Sequence, residues 1–208
     1  MKANVEQATA EWLQSRCGMF TASRAADLMA KTKTGPSATR GSLLALLAVE
    51  RMTGKAVETY TNAAMQRGID LEGEARDAYS FATGNAVTES GFVVYPDLPN
   101  TGCSPDGLVG DGLVEIKCPA SMAKHLDALR YGAHASEYRW QLQHQMLVMD
   151  APWVDAVSYD PRYPDHLQLA IVRVERSESA IAELREAIKA ADAEVDAIVN
   201  ELKERNAA

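Results

Sequence analysis

The segment TGCSPDGLVGDGLVEIKCPA, residues 101–120, constrains the fold more than any other part of the chain. Gly110-Asp111-Gly112 is a tight-turn signature between two short apolar runs and predicts a β-hairpin. A two- or three-residue turn at that point sets Asp106 opposite position 115, 116 or 117. Glu115 and Lys117 lie two residues apart, so on a strand they point to the same face. Asp106, Glu115 and Lys117 therefore meet at one end of a sheet.

Helical periodicity surrounds this hairpin. Residues 21–31 read as a short helix with Thr21 or Ser23 available as a cap, followed by a basic, breaker-rich loop over 31–37. Residues 42–53 read as an apolar helix ending at Gly54. Residues 62–83 read as a longer helix, kinked or interrupted near Gly68 and closed by Gly84. Strands are expected over 86–95, 102–109, 113–118, 153–159 and 167–174, with helices over 121–130 and 136–150. The tail, 177–206, reads as one long Ala/Glu-rich helix with Ile181, Leu184, Ile188, Val195, Ile198 and Leu202 on its apolar side. Helices at both ends around about five strands predict a single-domain α/β sandwich with a central mixed, twisted sheet.

The 208 residues suffice for a large core without staples. The three cysteines, Cys17, Cys103 and Cys118, form no Cys-x-x-Cys pair, which argues against a disulfide framework or a zinc knuckle. The four histidines include no His-Glu-x-x-His pattern, which argues against a histidine-built zinc site. No apolar run approaches the ~18 residues that cross a bilayer, and the N-terminus lacks a signal region. The expected setting is cytoplasmic, with no membrane partner.

The net charge of −8 argues against indiscriminate nucleic-acid binding, yet the charge is unevenly spread. Residues 1–60 carry eight basic and five acidic groups, whereas residues 61–175 carry eight and sixteen. A basic first third beside an acidic middle suits an anionic ligand next to a carboxylate site, and equally suits an unevenly solubilised surface.

Two carboxylates converging without a neutraliser repel, and a hard divalent cation relieves that repulsion. Mg²⁺ or Mn²⁺ takes oxygen ligands, often from only one or two carboxylates, polarises a phosphodiester and acidifies bound water. Lys117 is then placed to orient or deprotonate that water, or to offset charge on the phosphate. The rival reading is a surface hairpin with a cross-strand salt bridge worth at most about 1 kcal/mol. The apolar neighbours Val114 and Ile116 and the rigid Ser-Pro-Asp-Gly lead-in favour a purpose-built site.

SPDG followed by VEIKCP resembles the core of the PD-(D/E)xK nucleases, whose fold is restriction-endonuclease-like. Four segments in order narrow the resemblance to the lambda exonuclease family, the YqaJ-like viral recombinases. They are Trp12-Leu-Gln-Ser-Arg-Cys-Gly with Thr21-Ala-Ser; Arg67-Gly-Ile-Asp-Leu-Glu-Gly-Glu-Ala-Arg; Ser104-Pro-Asp-Gly with Glu115-Ile-Lys-Cys-Pro; and Trp140-Gln-Leu-Gln. The resemblance covers residues from about 12 to about 175.

It implies a bacterial or phage-encoded, Mg²⁺-dependent and processive 5′→3′ exonuclease on duplex DNA ends, leaving 3′ single-stranded tails for recombination by strand annealing. It further implies a ring-shaped homotrimer and a single-strand annealing partner. By motif, Asp106, Glu115 and the Ile116 carbonyl would hold metal, Glu72 would reach a second ion, and Lys117 would be the catalytic lysine. Gln141 would hold the attacking water or the lysine. Arg16 and Ser23 would grip the 5′-terminal phosphate, and Met65 would separate the end base pair. Mn²⁺ would substitute for Mg²⁺, with one or two ions per site. Lys31, Lys33, Arg40, Lys55 and Arg67 are candidates for the DNA channel, in a chain that is otherwise acidic.

Two other readings stand beside it. One is an endonuclease or structure-selective nuclease on the same core. The other is a non-catalytic adaptor that recruits a recombination partner through the acidic tail helix, against which the intact acid–acid–lysine set speaks.

Overall fold

A computed structural model describes residues 9–33, 35–57 and 63–205. Position 34 of the basic loop, the expected first residue of the 62–83 helix and the last expected residue of the tail helix lie outside the described residues.

The chain runs α1 (Ala10–Ser15), β1 (Phe20–Thr21), a 3₁₀ turn at Ala22–Arg24, α2 (Ala25–Met29), then the small hairpin β2 (Lys31–Thr32) and β3 (Gly35–Pro36). Next come α3 (Ala38–Thr53), α4 (Ala63–Thr83), β4 (Val93–Val94), β5 (Thr101–Cys103), β6 (Gly107–Val109) and β7 (Gly112–Lys117). Helices α5 (Met122–Tyr131), α6 (Ala133–Glu137) and α7 (Arg139–Met149) lead to β8 (Trp153–Tyr159), β9 (Leu169–Glu175) and α8 (Glu178–Arg205).

The mixed α/β architecture is present. Its central sheet has four strands in the order β6-β7-β8-β9, and a second, three-stranded sheet runs β1-β5-β4. Strands β7 and β8 are parallel, joined by the α5–α7 crossover, while β6–β7 and β8–β9 are antiparallel. The run expected as one strand over 102–109 is therefore two strands in two sheets. Ser104-Pro105-Asp106 makes the step between them, where Pro105 has no N–H to continue a ladder. The strand expected over 86–95 shrinks to β4 and a single bridge between Thr88 and Leu108.

Helix ends follow local chemistry. Ser37 caps α3, accepting from Arg40 N at 3.1 Å, so this helix starts four residues before its apolar run suggests. Helix α4 passes Gly68 without interruption and closes at Gly84, whose N–H donates to Ser80 O at 2.9 Å. The helix expected over 136–150 divides at Tyr138 into α6 and α7.

Two apolar layers sandwich the central sheet. On one face Leu113, Val154 and Ala156 pack with α2, α3, α7 and α8, including Leu47, Met146, Leu184 and Ile188. On the other, Val114, Ile116, Val157 and Tyr159 pack with Ala75 and Tyr79 of α4. The period of two along β7 thus sends Glu115 and Lys117 toward the α7 side. Helix α8 buries Ile181, Leu184, Ile188, Ala191, Val195 and Val199, so its apolar stripe belongs to the core.

Candidate active site

Register and turn place the acids. Val109 pairs with Gly112 and Gly107 with Val114, so Asp106 follows opposite Glu115. Gly110 takes φ 58° in the two-residue turn, a value that favours glycine. A Cβ at Gly112 would lie 2.2 Å from the Trp153 ring, so only glycine admits this approach.

Asp106 Oδ2 accepts from the Ile116 backbone N–H at 2.7 Å, tying the first acid to the strand that carries the second. Glu115 is buried. Its Oε1 accepts from Lys117 Nζ and from Gln141 Nε2, and its Oε2 from Gln145 Nε2 at 2.5 Å. The Lys117 ammonium sits 4.9 Å from the centre of the Tyr138 ring. Glu72, from α4, accepts from Arg76 at 2.7 Å, and Arg76 also bonds Glu89.

The electrostatics tie these groups into one cluster. Burial pushes the Asp106 carboxyl well above its usual range, with Glu115 and Glu72 adding to the rise and Lys117 opposing it. Burial also raises Glu72; Arg76 opposes, and the charge of Glu115 adds to the rise. Burial alone would lower Lys117, but Glu115 and Asp106 more than offset it, so the ammonium is held above its ordinary pKa.

Among the described residues, no three His, Cys, Asp or Glu side chains stand together at metal-ligand spacing. Protein donors hold the carboxylates. The donor set nevertheless fits a hard cation: the groups are oxygen acids, and a divalent ion would offset both the burial that chiefly raises Asp106 and Glu72 and the charge of Glu115 that adds to it.

A second constellation lies beside this one. The Arg16 guanidinium sits 3.9 Å from the centre of the Trp12 ring and donates to Ser23 Oγ at 3.1 Å. Its pKa is pulled down to about 10, first by burial and then by the neighbouring Arg24 charge. Arg24 is paired with the buried Glu50 at 3.2 Å; Arg16 makes no ion pair among the described residues. The Trp12 indole N–H donates to Ser104 Oγ at 2.8 Å, and Ser104 is two residues from Asp106.

The structure brings Asp106, Glu115, Lys117 and Gln141 together, with Glu72 coupled to them, and sets Arg16 against Ser23. Met65 is exposed on the first turn of α4, two helical heptads before the buried Tyr79 and on the side of the helix that carries Glu72. Trp12 bridges the arginine to the segment that leads into the hairpin. Gln145 was missed, although it stands one helical turn after Gln141 and so shares its face. Glu74, two residues after Glu72 and on another side of α4, accepts from Tyr159 OH at 2.6 Å. Three channel candidates are committed elsewhere: Lys31 to Glu183 at 2.9 Å, Arg40 to Glu194 at 2.8 Å, and Arg67 to the buried Asp160 at 3.1 Å.

This fold and this cluster define an α/β protein of the nuclease class. A sequence model of the YqaJ-like viral recombinase domain matches residues 11–152. The structure of an alkaline exonuclease from Laribacter hongkongensis is 44% identical, with 96% of this chain and 98% of that one covered and a TM-score of 0.87. The same protein in complex with dAMP matches equally. A phage-related exonuclease from Haemophilus somnus, 17% identical over 88% of this chain and 96% of that one, shares the fold with a TM-score of 0.75. No match is found among curated proteins. The chain belongs to the YqaJ-like viral recombinase family. Among the described residues, no helix is long and apolar enough to cross a membrane.

Proposed function

We propose that the chain is a Mg²⁺-dependent exonuclease that degrades the 5′-ended strand of duplex DNA processively, leaving a 3′ single-stranded tail for annealing. The observation that carries this reading is the adjacency of the Asp106–Glu115–Lys117 cluster to the Arg16–Ser23 pair through the Trp12–Ser104 bond. An anion-seeking guanidinium beside an acid–lysine cluster suits a substrate with a terminal phosphate and a phosphodiester one nucleotide further on.

In this reading Asp106, Glu115 and the Ile116 carbonyl would hold Mg²⁺, or Mn²⁺ in its place, and Glu72 would serve a second ion. When bound, the cation would supply polarisation of the phosphodiester and a more acidic water. Lys117, a charged ammonium bonded to Glu115, stabilises charge on the phosphate or orients the water, and Gln141 keeps Glu115 and Lys117 aligned. Arg16 and Ser23 hold the 5′-phosphate, and the exposed Met65 presses against the end base pair, whose opening costs a few kcal/mol. The 44% identical exonuclease, seen with the mononucleotide dAMP, supports a mononucleotide product. A ring-shaped homotrimer and a single-strand annealing partner complete the proposal.

Timed digestion of end-labelled duplex with Mg²⁺ tests it. Blunt ends with a 5′-phosphate should be consumed faster than 5′-hydroxyl ends, and closed circular DNA should survive. Equal rates on both ends would refute the terminal-phosphate role, and nicking of circles would indicate an endonuclease.

A further inference from the structure

Gln145 presents an unusual balance for a core position. It is fully buried on α7, between the core residues Leu142 and Met146. Its Nε2 donates to Glu115 Oε2 at 2.5 Å, while its Oε1 is buried with no hydrogen-bond partner among the described residues. Turning the amide over would set its oxygen against a carboxylate oxygen, so only this orientation is favourable. A methionine of similar length would fill the space without burying an unpartnered carbonyl. The one interaction gained for that cost is the bond to Glu115.

That bond divides the carboxylate. Gln145 occupies Oε2 from the core side, while Lys117 and Gln141 gather on Oε1. Because Gln141 and Gln145 are one turn apart on the same helix, the two amides fix both the position and the rotation of the Glu115 plane.

Resting on the metal-dependent reading above, we propose that Gln145 is a positioning residue: its bond to Oε2 holds the Glu115 carboxylate in the orientation in which it would take up the cation. Donors that orient ligating carboxylates typically contribute about 10–100-fold to metal affinity when removed.

The test is calorimetric titration of the full-length protein with Mn²⁺, without DNA. Wild type, Gln145→Met, Gln145→Asn and Glu115→Ala are compared, with thermal melting as the control for folding. The expected result is wild-type binding, loss with Glu115→Ala, and about 10-fold or greater weakening with Gln145→Met at nearly unchanged Tm. In digestion assays the Gln145→Met rate should recover as Mn²⁺ is raised, with the KM for DNA little altered. Should Gln145→Met fail to fold, Gln145→Asn, which keeps the amide but falls short of Glu115, carries the same expectation. Wild-type Mn²⁺ affinity in a folded Gln145 variant overturns the positioning role while leaving the metal reading intact. Absence of Mn²⁺ binding by wild type overturns both.

Discussion

The indole N–H of Trp12 donates to the hydroxyl of Ser104 at 2.8 Å, joining residues 92 apart in sequence. On one side of this bond the Trp12 ring carries Arg16, and on the other Ser104 leads through Pro105 to Asp106. The anion-seeking arginine and the acid cluster are thereby held in fixed relation.

Trp12→Phe keeps an aromatic face under Arg16 but removes the donor to Ser104. We expect the rate advantage of 5′-phosphorylated over 5′-hydroxyl duplex ends to narrow, and Arg16→Ala to remove most of it. Competitive digestion of the two labelled ends measures both, and an undiminished advantage in Arg16→Ala would assign the phosphate to another site.

Lys117→Ala removes the one ammonium bonded to Glu115 and leaves the Arg16 side untouched. Turnover should fall by about 10²–10⁴-fold, the usual contribution of a positioned proton-transfer or charge-stabilising group. Affinity for duplex ends, read by fluorescence anisotropy in Ca²⁺, should change little. A kcat within a few-fold of wild type would remove the lysine from the chemistry.

Asp106→Asn tests the cost of a buried charge beside Glu115 and Glu72. An acid whose folded pKa is raised binds more protons folded than unfolded between the two pKa values, so stability falls as pH rises through that window. The metal-free protein should therefore gain stability on acidification from neutral pH toward the ordinary carboxylate range. Asn retains the acceptor for Ile116 N–H while removing the charge. It should raise the metal-free Tm at pH 7 by roughly 2–4 °C, what about 1 kcal/mol yields in a chain of this size, while abolishing cleavage. A lower Tm would show that the ionised form is favoured by its neighbours.

Mn²⁺ affinity should follow the same protons in the opposite sense. Cations bind deprotonated carboxylates, so affinity should weaken as pH drops through the raised pKa values of Asp106 and Glu72. Calorimetry at stepped pH measures this, and flat affinity across the acidic range would place the ion elsewhere.

Tyr79→Phe probes the support for Glu72. Tyr79 OH donates to Asp155 Oδ2 at 2.7 Å, and Asp155 also accepts two bonds from Arg173 at 2.8 Å, pinning α4 to β8. Loss of the hydroxyl should cost about 1–3 kcal/mol, as for other buried bonds to charged groups, read as a lower urea midpoint.

Much of this site was legible because its logic is local. A tight turn at Gly110 and a side-chain period of two suffice to bring Asp106, Glu115 and Lys117 to one sheet end. Helical spacing and capping chemistry likewise account for α3, α5 and α8 to within a few residues. The split at Pro105 was less legible, since the breaker-rich Ser104-Pro105-Asp106-Gly107 is equally compatible with a bend inside one edge strand and with a change of sheet.

What the sequence determined on its own was which side chains share a face, for that depends on backbone geometry over a few residues. What only the tertiary structure decided was which faces meet. Gln145 reaches Glu115 because α7 packs on the side of β7 that carries the acid. Glu72 couples to the cluster because α4 packs against the other face of the same strand. Lys31 and Arg40 are tied to α8 because that helix buries its apolar stripe against α2 and α3. Each outcome is set by how distant elements close on a shared core, which periodicity along the chain does not specify.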